Sequence, residues 1–413
     1  MFKRVMSVTL IMFFLLTTFV QASSNNVAIE GIEKNIETEI KDARTYVTLE
    51  SIASLSLETS VNGNEINLKN EDVNFKFVID SNQIKVNDLD LNFNLKPYKK
   101  NNKIYLPLRF ILETLNYNIK WDSKNNKVII KKQEKITYPI KVKNGNNEYI
   151  IKKEPEKIVS LAPGVTEKLY ALGVLDKVKG RTQYCNYPKE VKNITNIGSL
   201  YEPNLETIID INPDIVIGET HFKEKHLNKL NSAGINTVAK STATDIEGVY
   251  EYMIELGAIV NRNYEARALV SSLKSKATRA EYILKDIKEN EKPSVYYVVG
   301  TGQSGEYTAG GNTFISSLIN LAGGKNIAKN IDGWSYSIEK LVDNDPDIIF
   351  GAKYNIDTMV SGENYQSLSA IRKNKYYTFN RNIIERAAPR AINQGLKELI
   401  KIFHNDKVDK LNF

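Results

Sequence analysis

Cysteine and histidine are nearly absent. Among 413 residues there is one cysteine, Cys185, and there are three histidines, His221, His226 and His404. A lone cysteine excludes an internal disulfide and any cysteine-cluster metal site. Three histidines leave a two- or three-histidine catalytic zinc centre nearly out of reach. No block of arginines occurs, and the formal charge of +7, from 56 basic and 49 acidic residues, is spread along the chain. Nucleic acid is therefore not an expected partner. Apolar residues at 42% and charged residues at 25% fit a globular protein and exclude a disordered one. The length exceeds one compact domain.

One long apolar run exists, from Val8 to Val20, after Lys3 and Arg4. Thirteen helical residues span about 20 Å, short of a bilayer core of about 30 Å. Val20-Gln21-Ala22 then offers the small residues that signal peptidase accepts. Residues 1–22 read as a secretory signal peptide rather than an uncleaved anchor. With no cysteine near the cleavage site, the protein is expected not to be a lipoprotein. It is expected to be exported, to a periplasm or to the cell exterior and wall. Cleavage leaves 54 basic against 49 acidic residues, or +5.

Two internal echoes organise the rest. Tyr46, Leu49 and Ile52 match Tyr105, Leu108 and Ile111 at a constant offset of 59. In each copy an apolar helical stretch leads through an Asn-rich turn into a short strand, Glu65 to Leu68 or Lys127 to Ile130, and Phe75 to Leu95 alternates like two further strands. Residues 30–133 form a small α+β unit. Its YLPLRF, KWD and VII segments resemble the copper amine oxidase N-terminal-like domain. No histidine cluster accompanies the resemblance, so neither copper nor oxidation is expected, and a stalk or surface-attachment role is.

After Lys132, strands and helices alternate, which argues for α/β architecture. LETIIDINPDIVI at 205–217 returns as IEKLVDNDPDIIF at 338–350, each with a glutamate seven positions before a Pro-Asp pair (Glu206 and Glu339, Pro213 and Pro346). The echo predicts two similar lobes. Between them, residues 258–291 carry helical spacing without proline or glycine, a strut of about 45 Å. The expected binder spans 136–405, with an N-lobe at 136–257, the strut at 258–291 and a C-lobe at 294–405.

Few motifs suggest catalysis. Gly300-Thr-Gly-Gln-Ser-Gly305 satisfies the dinucleotide pattern, but Glu306 to Gly311 separates it from any helix before Asn312 or Thr313. A glycine-rich loop lining a cleft is the better reading. His221 and His226, five apart, lie on different faces of a helix and read as solvated surface residues. His221 alone, just after the strand Ile215 to Gly218, is placed to face a cleft. Cys185 reads as a buried, inert thiol. Aromatic residues in loops are stronger candidates for a large flat ligand: Tyr184, Tyr201, Tyr307 and Trp334. Arg386 is placed to meet an anionic group or to form a salt bridge.

KIVSLAPGVTEKLYALGVLDKVKGRTQYCNYP, NIGSLYEPNLETIIDINPDIVI and ERAAPRAINQGLKELIKIF resemble the cobalamin and iron-siderophore substrate-binding proteins of ABC importers, from about Tyr138 to His404. The resemblance implies an α/β fold of two lobes joined by one long helix, here preceded by the small α+β domain. It implies a non-enzymatic protein with no cofactor of its own, a monomer, whose partners are a metal-chelate small molecule and a transmembrane permease. Glu206 and Glu339 then correspond to the pair that meets permease arginines. Tyr184, Tyr201, His221, Tyr307, Trp334 and Arg386 are the ligand-binding candidates. Leu200, Glu219 and Ile383 stand where the cobalamin branch carries tryptophans. A cobalamin-like corrinoid is the expected cargo, and haem held by Tyr201 or His221, or a ferric siderophore facing Arg386, stays open. An adhesion or sensor protein reusing the fold is the competing class.

Overall fold

The computed structural model describes residues 37–42, 44–122, 127–144, 147–219, 223–302 and 305–413. The leader at 1–22 and His221 lie outside the described residues. No helix among the described residues is long and apolar enough to cross a membrane.

The upstream unit is α+β. Strands Arg44–Thr48 and Lys103–Pro107 pair antiparallel at the centre of a four-stranded sheet, with Val47 opposite Leu106. Each runs straight into a helix, Leu49–Ile52 or Leu108–Thr114. The offset of 59 therefore marks two copies of a strand–helix unit. The expected helical stretch begins as strand because Tyr-Val-Thr and Ile-Tyr-Leu are β-favouring. A five-stranded antiparallel meander from Glu58 to Asn92 buries Phe75, Phe77 and Phe110. It places three strands in the stretch read as two: Asn74–Val78, Gln83–Val86 and Leu89–Asn92.

Downstream stand two α/β lobes. After the hairpin Ile140–Asn144 with Asn147–Ile151, the N-lobe has five parallel strands. Numbered in chain order from Ile158–Ser160, they lie 3-2-1-4-5, so the order reverses between Ile158–Ser160 and Ile215–Glu219. The C-lobe has four parallel strands, ordered 2-1-3-4 from Ser294–Val298, reversing beside Ile348–Gly351. Open sheets of this kind bind ligands beyond the carboxyl ends of the strands at the reversal.

The two Pro-Asp segments fold alike. Helices Leu205–Ile211 and Ile338–Asn344 are capped by the side chains of Asn204 and Ser337. Both end on a left-handed residue, Asn212 (φ 48°) or Asp345 (φ 33°), before a buried strand.

The strut helix is Asn263–Leu284, 22 residues and about 33 Å long. It is shorter than expected at both ends: the preceding helix, Ile246–Ile259, stops where Asn261 turns left-handed (φ 57°), and the strut itself ends at Leu284, before residues 285–291. The upstream unit lies along it. Ser271 Oγ donates to Glu113 (2.6 Å), Asn87 Nδ2 to Glu265 (2.7 Å), and Asn94 and Arg44 to the Ser275 carbonyl (3.2 and 3.3 Å).

Candidate functional site

Loops at the carboxyl ends of both sheets carry the four aromatic candidates, Tyr184, Tyr201, Tyr307 and Trp334. In the N-lobe, Tyr184 follows Val178–Arg181 and Tyr201 follows Thr195–Asn196, 42% and 49% exposed. Ser199 links the two loops: it hydrogen-bonds the Tyr184 phenol, which with Gln183 holds that phenol below its ordinary pKa, and it accepts from the Tyr201 amide (3.2 Å). In the C-lobe, Tyr307 and Trp334, 40% and 47% exposed, sit on one small ribbon. Glu306–Tyr307 pairs antiparallel with Ser335–Tyr336, and the Thr308 amide donates to the Trp334 carbonyl (2.8 Å).

The glycine-rich loop supports Tyr307. The Tyr307 amide donates to Gly300 O (2.9 Å), and a side chain at Gly300 would meet the Tyr307 ring at 3.4 Å. Beneath it the buried Glu306 carboxylate accepts from the Tyr365 hydroxyl (2.5 Å), the Thr301 hydroxyl (3.0 Å) and the Tyr296 hydroxyl (3.2 Å). Those bonds tie the loop to the sheet. A strand, not a helix, follows Gly305, and the next helix, Phe314–Leu321, is capped by Thr313. Among the described residues the first α-helix after the loop is Phe314–Leu321, so no helix N-terminus directly follows it to receive a pyrophosphate, and the nucleotide pattern lacks its structural context.

Arg386 is tied across the lobes. Its guanidinium donates to Glu167 Oε1 (2.6 Å), the Tyr184 carbonyl (3.1 Å) and Asn382 Oδ1 (3.1 Å). Arg390 completes the cluster with two bonds to the same carboxylate (3.0 and 2.6 Å) and stacks 4.1 Å over the Tyr187 ring. Sequence reasoning missed Glu167 and Arg390. The signal available was the spacing of four between the two arginines of ERAAPR.

The positions where tryptophans were expected are mostly interior. Ile383 is buried, and Glu219, at the end of its strand, pairs with fully buried Lys168 at 2.5 Å. Leu200 is half-buried. His226 is not the solvated residue expected: its helix Glu224–Ser232 turns it inward, 5% exposed and 3.1 Å from Glu202. Cys185 is buried between the hydroxyls of Thr166 (3.2 Å) and Thr182 (3.4 Å). Among the described residues no group of three acidic, histidine or cysteine side chains is placed to hold a metal ion.

Glu206 and Glu339 are exposed in the first turns of the two capped helices. The Glu339 carboxyl is held below the ordinary range by its own backbone amide and the Ser337 hydroxyl. Two hollows, of about 530 Å³ beside Ile356 and Tyr377 and about 360 Å³ beside Glu281 and Ser317, involve none of the candidate residues.

The family model for periplasmic binding proteins matches residues 158–382. That for the copper amine oxidase N-terminal domain matches 23–130 and, overlapping, 86–167. The chain is 31% identical over 260 residues to an uncharacterised ABC transporter substrate-binding lipoprotein of Bacillus subtilis, YvrC, covering 61% of this chain and 81% of the relative. The word lipoprotein in that name runs against the expectation for this chain. It is 29% identical over 269 residues to a cobalamin-binding protein of Halobacterium salinarum, covering 62% and 71%. The structure of a possible iron-binding periplasmic solute-binding protein of Staphylococcus epidermidis superposes with a TM-score of 0.53 at 26% identity, covering 60% of this chain and 99% of that one. Two parallel lobes, one joining helix and a match over more than half of the sequence agree: the chain belongs to the periplasmic binding protein family, an extracytoplasmic family, and carries a copper amine oxidase N-terminal domain upstream.

Proposed function

We propose that this protein is the substrate-binding component of an ABC importer, which captures a cobalamin-like corrinoid and delivers it to the permease without chemical change. One observation carries the reading: half-exposed aromatics, Tyr184 and Tyr201 in one lobe and Tyr307 and Trp334 in the other, crown the carboxyl ends of both sheets. Broad faces with a polar edge suit a macrocycle edged with amides. The likeness to a cobalamin-binding protein supports the same cargo. Export on the leader at 1–22, the division into units at 30–133 and 136–405, and the ligand roles of His221 and Arg386 belong to this proposal. Because the upstream unit lies along the strut, we assign it a bracing role beside surface attachment.

An iron chelate, haem or a ferric siderophore, is the second reading. Two buried arginines against one carboxylate leave excess positive charge at the lobe boundary, and the Staphylococcus epidermidis likeness points the same way. The deciding experiment titrates the full-length protein with cyanocobalamin, haemin and ferric hydroxamate, read by absorbance and by quenching of tryptophan fluorescence. Tight binding of cyanocobalamin is expected. Retention of haemin or ferric hydroxamate with no response to cyanocobalamin would overturn the corrinoid assignment in favour of the second reading.

A further inference from the structure

The Glu167 cluster joins elements that neither echo of the sequence links. Glu167 lies on Pro163–Ala171, the helix after the first N-lobe strand, and its side chain is 1% exposed. Arg386 and Arg390, from the C-lobe, are 9% and 10% exposed. One carboxylate thus receives three charge-assisted hydrogen bonds from two guanidiniums of the opposite lobe. Such bonds are short, directional and little screened when water is excluded. Both arginines are also braced within their own lobe, by Asn382 Oδ1 (3.1 Å) and the Asn382 carbonyl (2.7 Å). The Tyr187 ring, under Arg390, packs edge-on against Tyr170 of the Glu167 helix at 5.6 Å. The remaining bond of Arg386 reaches the backbone of Tyr184, an exposed aromatic of the other lobe.

We propose that Glu167 is a positioning residue for ligand capture. By clamping Arg386 and Arg390 across the lobe boundary it sets the cleft width before ligand arrives, and through Arg386 it seats Tyr184 at the rim. A width fixed in the free protein removes an ordering cost from binding, which is how preorganisation raises affinity. The clamp adds directional, charge-assisted bonds to the apolar contact between the lobes, where helix Ile246–Ile259 packs on Phe314–Leu321. The capture role rests on the proposed function, whereas the clamp does not.

The test uses the full chain with spin labels on Lys192→Cys and Lys373→Cys, exposed positions in different lobes, and Cys185→Ser to keep labelling specific. Distances are measured without ligand by double electron–electron resonance, and cyanocobalamin affinity is measured on the same proteins. A single narrow distance is expected for the parent. Glu167→Gln and Arg390→Gln should broaden it and weaken cyanocobalamin binding about tenfold, within the usual range for coupling between two sites. Glu167→Asp and Arg390→Lys, which keep charge but lose the fitted geometry, should fall between, and they decide the matter if the neutral variants do not fold. Unchanged distances in folded variants overturn the clamp. Broadened distances with unchanged cyanocobalamin affinity overturn the positioning role. A parent that ignores cyanocobalamin refutes the corrinoid assignment, and the distances still decide the clamp.

Discussion

Asp214 and Asp347, one in each lobe, bind the backbone that opens their own lobe's first strand. Asp214 Oδ2 accepts from the amides of Glu156 and Lys157, both at 2.9 Å, just before Ile158–Ser160. Asp347 Oδ2 accepts from the amide (2.8 Å) and hydroxyl (2.7 Å) of Ser294, the first residue of its strand. The Pro-Asp echo therefore repeats a way of fastening two strands, independent of any ligand.

Burial alone would raise both carboxyl pKa values, but the donated hydrogen bonds outweigh it and hold both below the usual 3.8. A depressed folded-state pKa means this stabilisation is fully present above about pH 4 and disappears as acid titrates the folded carboxylates. Asp214→Asn or Asp347→Asn should each lower unfolding free energy by about 1–3 kcal/mol at pH 7. Urea titration at pH 7 and at pH 3 checks this, and the difference from the parent should shrink at the lower pH.

Lys168 and Glu219 behave differently because both are withdrawn from water. The ammonium is fully buried, 2.5 Å from the carboxylate and 4.7 Å from the centre of the Tyr252 ring. Gly164 makes room, since a Cβ there would meet Glu219 Oε2 at 2.9 Å. Lys168→Met leaves an unpaired buried carboxylate and should cost about 3–5 kcal/mol. Lys168→Met combined with Glu219→Leu should recover most of that loss. A double-mutant cycle in urea measures the coupling, and additive losses would contradict it.

What the sequence made legible was local and repeated. The offset of 59 and the Pro-Asp echo survive as structure because each encodes a contiguous strand–helix or helix–strand unit. The strut's length was overread at both ends: Asn261 takes a left-handed conformation that helical spacing does not reveal, and the helix stops at Leu284 although no proline or glycine occurs between it and Pro293. Glu265, Ser271 and Ser272 are buried where the upstream unit covers them, bonded to Asn87, Glu113 and the Asn92 carbonyl, partners that helical spacing cannot name. The partnership of Glu167 with Arg390 was invisible for a related reason. The two are 223 positions apart, and only the meeting of the lobes brings them together.

Lys276 of the strut should limit stability near neutral pH. Burial, with help from the Lys397 charge, pulls its pKa down from 10.5 to about 8, and its described hydrogen bond is to neutral Asn393 (2.8 Å). When the folded-state pKa lies below the unfolded one, the unfolded chain binds more protons between the two values, so stability rises with pH across that interval. Lys276→Met should therefore stabilise the protein at pH 7, by up to about 3 kcal/mol. Thermal melts of parent and variant at pH 7 and pH 10 provide the test, with the gap narrowing at pH 10. A variant no more stable than the parent at pH 7 would show that the Asn393 bond compensates for burial.

Glu206 and Glu339 yield the prediction closest to transport. Both are exposed at the starts of matching seven-residue helices, and each follows a capping side chain by two positions, Asn204 or Ser337. Two equivalent carboxylates on two equivalent supports suit a partner with matching basic positions, giving register and steering rather than raw affinity. Replacing both with alanine should abolish uptake into proteoliposomes that contain the permease, while leaving cyanocobalamin affinity of the purified protein unchanged. Each single variant should retain part of the uptake, and the parent's association with the permease should weaken as salt is added. If the carboxylates serve only to offset their helix dipoles, the double variant loses at most about 1 kcal/mol of stability per site and transports normally. Glutamine at both positions isolates the charge from the side-chain shape, which it keeps: docking through charge predicts loss of uptake with glutamine as with alanine.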